Sequence, residues 1–194
     1  EIEILGASHG DISMRELIAG QMDGIYFPVN LNQFAARVYF RNLCEETVEF
    51  DGIKVSTMLL NHPGYCLGYR VDYRDRSFCY ITDNELFPKD SQHFDPVYRN
   101  KLIQFIKGAD TLIMDTTYSD EEYPAHTGWG HSCVREVVDV AHEAQAKQLC
   151  LFHHDPAQTD ADIDHKLGQA QARLRELESS TEVIAPSEST TLTF

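Results

Sequence analysis

The sequence predicts an α/β fold. Apolar runs of strand length alternate with stretches of helical spacing through the later half of the chain, and two hairpin signals stand in the earlier half. With 42% hydrophobic residues, ten Phe, nine Tyr and one Trp in 194 residues, the chain also has the material for a real core, and disorder is excluded.

In order, Glu3–Gly6 starts a short strand, and Ile12–Met22 has helical spacing with Ile12, Leu17 and Ile18 apolar. Ala36–Phe40 and Val48–Leu60 alternate like strands, with Asp51-Gly52 marking a turn inside the second. Leu67–Tyr73 and Ser77–Thr82 form a second hairpin across Arg74-Asp75-Arg76. Asp95-Pro96 precedes a helix over Val97–Lys107, and Thr111–Asp115 reads as a buried strand. A helix over Ser132–Gln145, with Ser132 in the N-cap position, leads to the apolar strand Gln148–Phe152. Asp160–Leu177 is an amphipathic helix and Glu182–Ala185 a last strand before a Ser/Thr-rich tail. With no repeat, linker or composition shift, residues 1–194 read as one domain.

Charge narrows the function classes. The formal charge of −15, from 31 Asp+Glu against 16 Lys+Arg, argues against a sequence-independent grip on phosphate backbones. It leaves open a nucleotide held by metal ions. No apolar run is long enough to span a bilayer and no signal peptide opens the sequence. Five scattered Cys without a CxxC pair read as free thiols in a reducing cytoplasm, with Cys79 and Cys150 buried.

Functional groups of α/β folds gather where strands end, and three such places carry His or Asp. His62 follows Leu59-Leu60-Asn61 and precedes Pro63-Gly64, which by itself also suits a surface turn. Asp83 ends Phe78-Cys79-Tyr80-Ile81-Thr82, as a turn cap or as a hard oxygen ligand able to bridge two cations. His153-His154-Asp155 follows Leu149-Cys150-Leu151-Phe152; side chains alternate along a strand, so one His faces a site while the other packs or supports it. Between these lie Asp115 at a strand end and His131 just before a helix, as a helix-entry residue or as a general acid oriented by Asp115. His93, His126, His142 and His165 read as structural or surface residues, with His126 on a Gly-bearing loop near a pocket. The acidic stretch Ser119-Asp120-Glu121-Glu122 reads as a solvated loop, and Tyr26-Phe27-Pro28 as core packing.

Taken together, His62 before Gly68-Tyr69-Arg70, Asp83 in Ile81-Thr82-Asp83-Asn84, Asp115, His131-Ser132 and His153 after Ala146-Lys147-Gln148-Leu149 resemble the later motifs of the metallo-β-lactamase-fold hydrolases. The nearest branch is the phosphodiesterase-like one that includes the tRNA 3′-processing endonucleases. The resemblance runs from about Ile4 to Pro156. It implies a metallo-β-lactamase-like αββα sandwich and two divalent metal ions, zinc or else manganese or iron. His62 would bind one metal, Asp83 would bridge the pair and His153 would bind the other, while His131, backed by Asp115, would protonate the leaving oxygen.

Two departures shape the expectations. The family's His-x-His-x-Asp-His motif is missing from the sequence, whose only early His is His9 in Ser8-His9-Gly10-Asp11. The expectation is that the chain is the later portion of the fold, without its first strands and half of its ligands, or that the lineage lost the site. Only twelve residues separate Arg70 from Asp83, so the arm by which the endonucleases grip tRNA is absent. The sequence thus predicts a hydrolase of a small-molecule phosphodiester or ester using a metal-activated hydroxide, without strong nucleic-acid binding, off the membrane and able to form a homodimer. The alternative is a catalytically degenerate sensor or binding domain of the same fold.

Overall fold

The computed structural model describes residues 1–192. Its elements are β1 (Ile2–Ala7), α1 (Met14–Gln21), β2 (Val38–Leu43), β3 (Thr47–Phe50), β4 (Ile53–Leu59), β5 (Leu67–Tyr73), β6 (Arg76–Ile81), α2 (Pro96–Ile106), β7 (Thr111–Asp115), α3 (Val134–Glu143), β8 (Gln148–Phe152), α4 (Asp160–Glu176) and β9 (Glu182–Ile184). None of the helices is long and apolar enough to cross a membrane.

Strands β3 to β9 form one sheet in sequence order, and β1 pairs with β2 in a second. Neighbours from β3 to β6 are antiparallel. Such strands need only tight turns, and Asp51 (φ 49°) and Gly52 (φ 80°) supply the two positive dihedrals of the first. From β6 to β9 the neighbours are parallel, so each connection must cross back over the sheet, which is what α2, α3 and α4 do.

Side-chain parity sorts the layers. Met58, Cys79, Ile81, Leu112, Met114, Leu149 and Leu151 face the three crossover helices, where Leu102, Ile106, Val137, Val138, Val140 and Ala170 complete the main core. On the other face, Val48, Val55, Leu67 and Tyr69 pack against Leu5 and Ala7 of β1 and Leu43 of β2. Met14 of α1 lies against Gly6, and Arg15 of α1 over Phe40, so α1 covers the outer side of the small sheet. The order helices, large sheet, small sheet, helix is the αββα arrangement expected, with two strands in its second sheet.

Three local expectations are corrected. Tyr26 and Phe27 do not pack in the core: they are 80% and 47% exposed, because no element between α1 and β2 beyond the short turn Leu31–Gln33 offers them a surface. Ser132 does not cap α3. Its hydroxyl donates to Asn84 O (2.5 Å) and accepts the Leu86 N–H (3.0 Å), and Cys133 takes the N-cap position. The acidic stretch is only partly solvated: Ser119 is buried, and Asp120 Oδ1 accepts the Arg135 amide (2.8 Å) in the first turn of α3, the bond a cap would have made.

Candidate active site

Strand direction explains why distant residues meet. Two antiparallel steps separate β4 from β6, so β4 runs parallel to β6, β7 and β8. The carboxyl ends of all four therefore lie along one edge of the sheet, where open α/β sheets place their ligands. Those ends carry His62, Asp83, Asp115 and His153, and the loop before α3 adds His131.

All five candidate residues are brought together. Ligand atoms of His62, Asp83 and His131 lie within 4.8 Å of one another, as do those of Asp115, His131 and His153. His153 Nε2 stands 3.4 Å from Asp83 Oδ1, so Asp83 is the common neighbour of His62 and His153. The rings of His131 and His153 stack at 4.9 Å, and His62 meets His131 edge-on at 5.5 Å. Asp83 (φ 54°) and His153 (φ 57°) both turn the chain in the left-handed region. Asp and His tolerate it better than most residues, at a cost of about 1–3 kcal/mol each.

The buried Asp115 organises the cluster. Its Oδ1 accepts the Thr117 amide (3.0 Å) and hydroxyl (2.8 Å), and its Oδ2 accepts the Asn84 amide (3.1 Å) and His131 Nδ1–H (2.7 Å). One carboxylate thus holds His131, the turn after Asp83 and, through Thr117, His153. The His153 Nδ1–H donates to Thr117 Oγ1 (3.1 Å), which leaves the Nε2 lone pair facing Asp83. His62 is set differently: its Nδ1 accepts the Gly64 amide (3.1 Å), so the ring proton sits on Nε2, and ligation requires the ring to turn or Gly64 to let go.

Neighbouring loops hold these groups in place. Asn61 and Glu85 exchange backbone and side-chain bonds (Glu85 N–H to Asn61 O 2.8 Å, Asn61 Nδ2 to Glu85 O 2.8 Å), and Tyr98 donates to Asn84 Oδ1 and accepts the Asn61 amide. The His62 and Asp83 turns are thereby laced together. The buried Glu85 carboxylate accepts the Tyr123 hydroxyl (2.8 Å) and the amides of Gly128 (2.7 Å) and Gly130 (2.8 Å), and so anchors the loop that ends at His131. Beneath the site the fully buried Lys166 donates to Thr116 O (2.8 Å), Thr117 O (3.1 Å), Gln158 Oε1 (2.6 Å) and His154 Nδ1 (2.8 Å).

Charge follows this geometry. The hydrogen bond that His131 donates to Asp115 raises the His131 pKa above the ordinary imidazole value, against partial burial. Burial drops Lys166 to about 8, and burial together with Lys166 and His153 drops His154 to about 4, so His154 is neutral beside its lysine. His62, Asp83 and His131 could together hold a divalent cation, as could Asp115, His131 and His153, although both Asp115 oxygens already meet four donors. Imidazole nitrogens and a carboxylate are the ligands zinc, manganese and iron accept. Asn84, Glu85, Thr117 and Lys166 escape the sequence reading. Lys166 had a signal: with Ile163, Ala170 and Leu174 it keeps the apolar period of α4. A separate cleft of about 460 Å³ touches Asn61, Glu85, Tyr98 and Arg99 but none of the five candidates.

Comparison with known proteins decides the family. Residues 29–154 match the beta-lactamase superfamily domain. The chain belongs to that family. In this member the strand-end cluster coincides with the matched region, and the fold has solved counterparts. YhfI of Bacillus subtilis, a metallo-beta-lactamase fold protein, superposes with a TM-score of 0.65 at 18% identity over 93% of this chain and 59% of its own. The short form of human tRNase Z gives 0.53 at 19% identity over 79% of this chain and 60% of its own. Among curated proteins, ribonuclease Z of Brevibacillus brevis is 33% identical over 82 residues, 42% of this chain and 26% of that protein. Ribonuclease Z of Lactococcus lactis subsp. lactis is 26% identical over 180 residues, 66% of this chain and 59% of that protein. The chain thus spans between a quarter and three-fifths of these two relatives.

The resemblance and the fold expected from sequence are borne out. The expected partners are not. A small-molecule substrate without nucleic-acid binding conflicts with relatives that are ribonucleases by name. Net charge was a poor guide because it sums over the whole chain, and the Arg70–Asp83 spacing because the hairpin turn inside it lies at the opposite end of β6 from Asp83.

Proposed function

We propose that this superfamily member is a metal-dependent phosphodiesterase acting on a nucleic-acid strand. The observation that carries the reading is Asp83 standing between His62 and His153, with the His131–Asp115 pair alongside. The names of its ribonuclease Z relatives favour an RNA substrate. His62 and His153 would each hold one divalent cation and Asp83 both, zinc first among the candidates and manganese or iron next. When bound, such cations supply charge neutralisation at the phosphate and activation of water.

The chain's own residues supply the rest. His131 keeps its proton to higher pH than a free imidazole because Asp115 holds Nδ1–H, so Nε2 is the donor for the departing oxygen. Four donors meet the two oxygens of Asp115 and fix the carboxylate that orients His131. The free thiols fit a reducing cytoplasm.

The test is cleavage of a short RNA by the 194-residue chain with Zn²⁺, Mn²⁺ or Fe²⁺ added singly. Metal-dependent cleavage lost in Asp83→Asn and lowered about 10²–10⁴-fold in His131→Ala is expected. Absence of cleavage with all three metals, or cleavage indifferent to both substitutions, contradicts the proposal.

A further inference from the structure

Trp129 is the chain's single tryptophan and is 62% exposed, yet it stands on one of the most constrained loops of the molecule. Gly128 (φ 89°) and Gly130 (φ 93°) flank it in backbone conformations other residues rarely adopt. Their amides are clamped by the buried Glu85 carboxylate, and the Trp129 amide donates to His126 O (3.1 Å). A Cβ on Gly130 would stand 2.5 Å from His62 Cδ2 and 2.6 Å from Pro63 Cδ, so the loop is pressed against the His62 turn.

The rings form a ladder into the site. Trp129 meets His126 at 90° and 4.9 Å, and His126 stacks on Tyr118 at 4.3 Å and 10°. Tyr118 meets His131 at 6.3 Å, and His131 stacks on His153 at 4.9 Å. His126 is fixed by its Nδ1–H to Glu122 O (2.9 Å), and an edge-to-face contact with it leaves indole surface free.

We infer that Trp129 is a stacking platform for the nucleobase next to the phosphodiester held at the His62–Asp83–His153 cluster, a substrate-positioning residue resting on the reading above. Electrostatics argue for stacking over phosphate grip. Lys166, the lysine beneath the site, is sealed from solvent. Base–aromatic stacking needs no counterion release and accepts any base.

The single indole makes the test independent of catalysis. The metal-free 194-residue chain is titrated with a six-residue oligoadenylate and, separately, with ribose 5-phosphate, while Trp fluorescence is followed. Saturable quenching by the oligonucleotide and none by ribose 5-phosphate is expected. Anisotropy of a dye-labelled oligoadenylate should weaken about 5- to 150-fold in Trp129→Ala, recover in part in Trp129→Phe, and change less than about threefold from 50 to 200 mM salt. Equal affinity of wild type and Trp129→Ala, both folded by thermal melt, overturns the inference, as does equal quenching by ribose 5-phosphate. Base binding without RNA cleavage would sink only the phosphodiesterase reading; cleavage with unchanged binding in Trp129→Ala would sink only this one.

Discussion

Asp115 does more for the site than any residue that faces the substrate side. It is fully buried, and its four donors lie on the turns that carry Asp83 and His131 and on its own turn, whose Thr117 reaches His153. In Asp115→Asn the amide cannot accept at its nitrogen, so at least one pair of donors faces another donor. The expected result is loss of about 2–5 kcal/mol in denaturant unfolding and a fall in hydrolysis of about 10²–10⁴-fold. The five strand-end residues were legible because an ionisable side chain at the end of an apolar run is conspicuous. Thr117 and Glu85 were not, because their importance lies in distant groups they meet, the His153 ring for Thr117 and the Gly128 and Gly130 amides for Glu85, and those contacts join segments 36 to 45 residues apart.

Elements were legible wherever period and turn chemistry agreed. Asp95-Pro96 starts α2 as expected, with Asp95 Oδ1 accepting the Val97 and Tyr98 amides (2.8 and 3.2 Å). The α3 start was misplaced by one residue because Ser132 is drawn away to Asn84 and Leu86 by a tertiary bond that no local pattern contains. Glu85→Gln replaces one clamping oxygen with an amide donor opposite a Gly128 or Gly130 N–H. Loop 126–131 should then exchange its amide hydrogens faster, with about 2–3 kcal/mol lost in stability, measured by hydrogen exchange and denaturant melts.

The strand edges carry a pH signature. Asp110 accepts from Lys147 Nζ (2.7 Å), the Ser77 amide (2.8 Å) and Arg76 (3.3 Å), tying β6 to the segment before β8. Lys147 foremost holds its carboxyl down at about 2, against 3.8 unperturbed. A depressed carboxyl stabilises the fold above its unfolded pKa, so this contribution is complete above about pH 4 and is lost as pH falls through about 2. Thermal melts should place Asp110→Asn below wild type at pH 7, with the gap narrowing as pH drops from 4 towards 2. A gap independent of pH contradicts the assignment.

For the molecule as a whole, element order made the α/β class legible, while the αββα sandwich was legible only through the resemblance carried by the strand-end residues. Substrate class was not legible. Overall charge averages over a surface, whereas recognition depends on a few groups beside the cluster, and here the local groups are rings. The proposed cation-binding centre of His62, Asp83 and His153 is tested by calorimetric titration of the chain with Zn²⁺ and Mn²⁺, paired with thermal melts. Saturable binding that raises the melting temperature is expected in wild type and its loss in Asp83→Asn and His153→Ala. Wild type that takes up neither ion, or variants that bind as well as wild type, would contradict it.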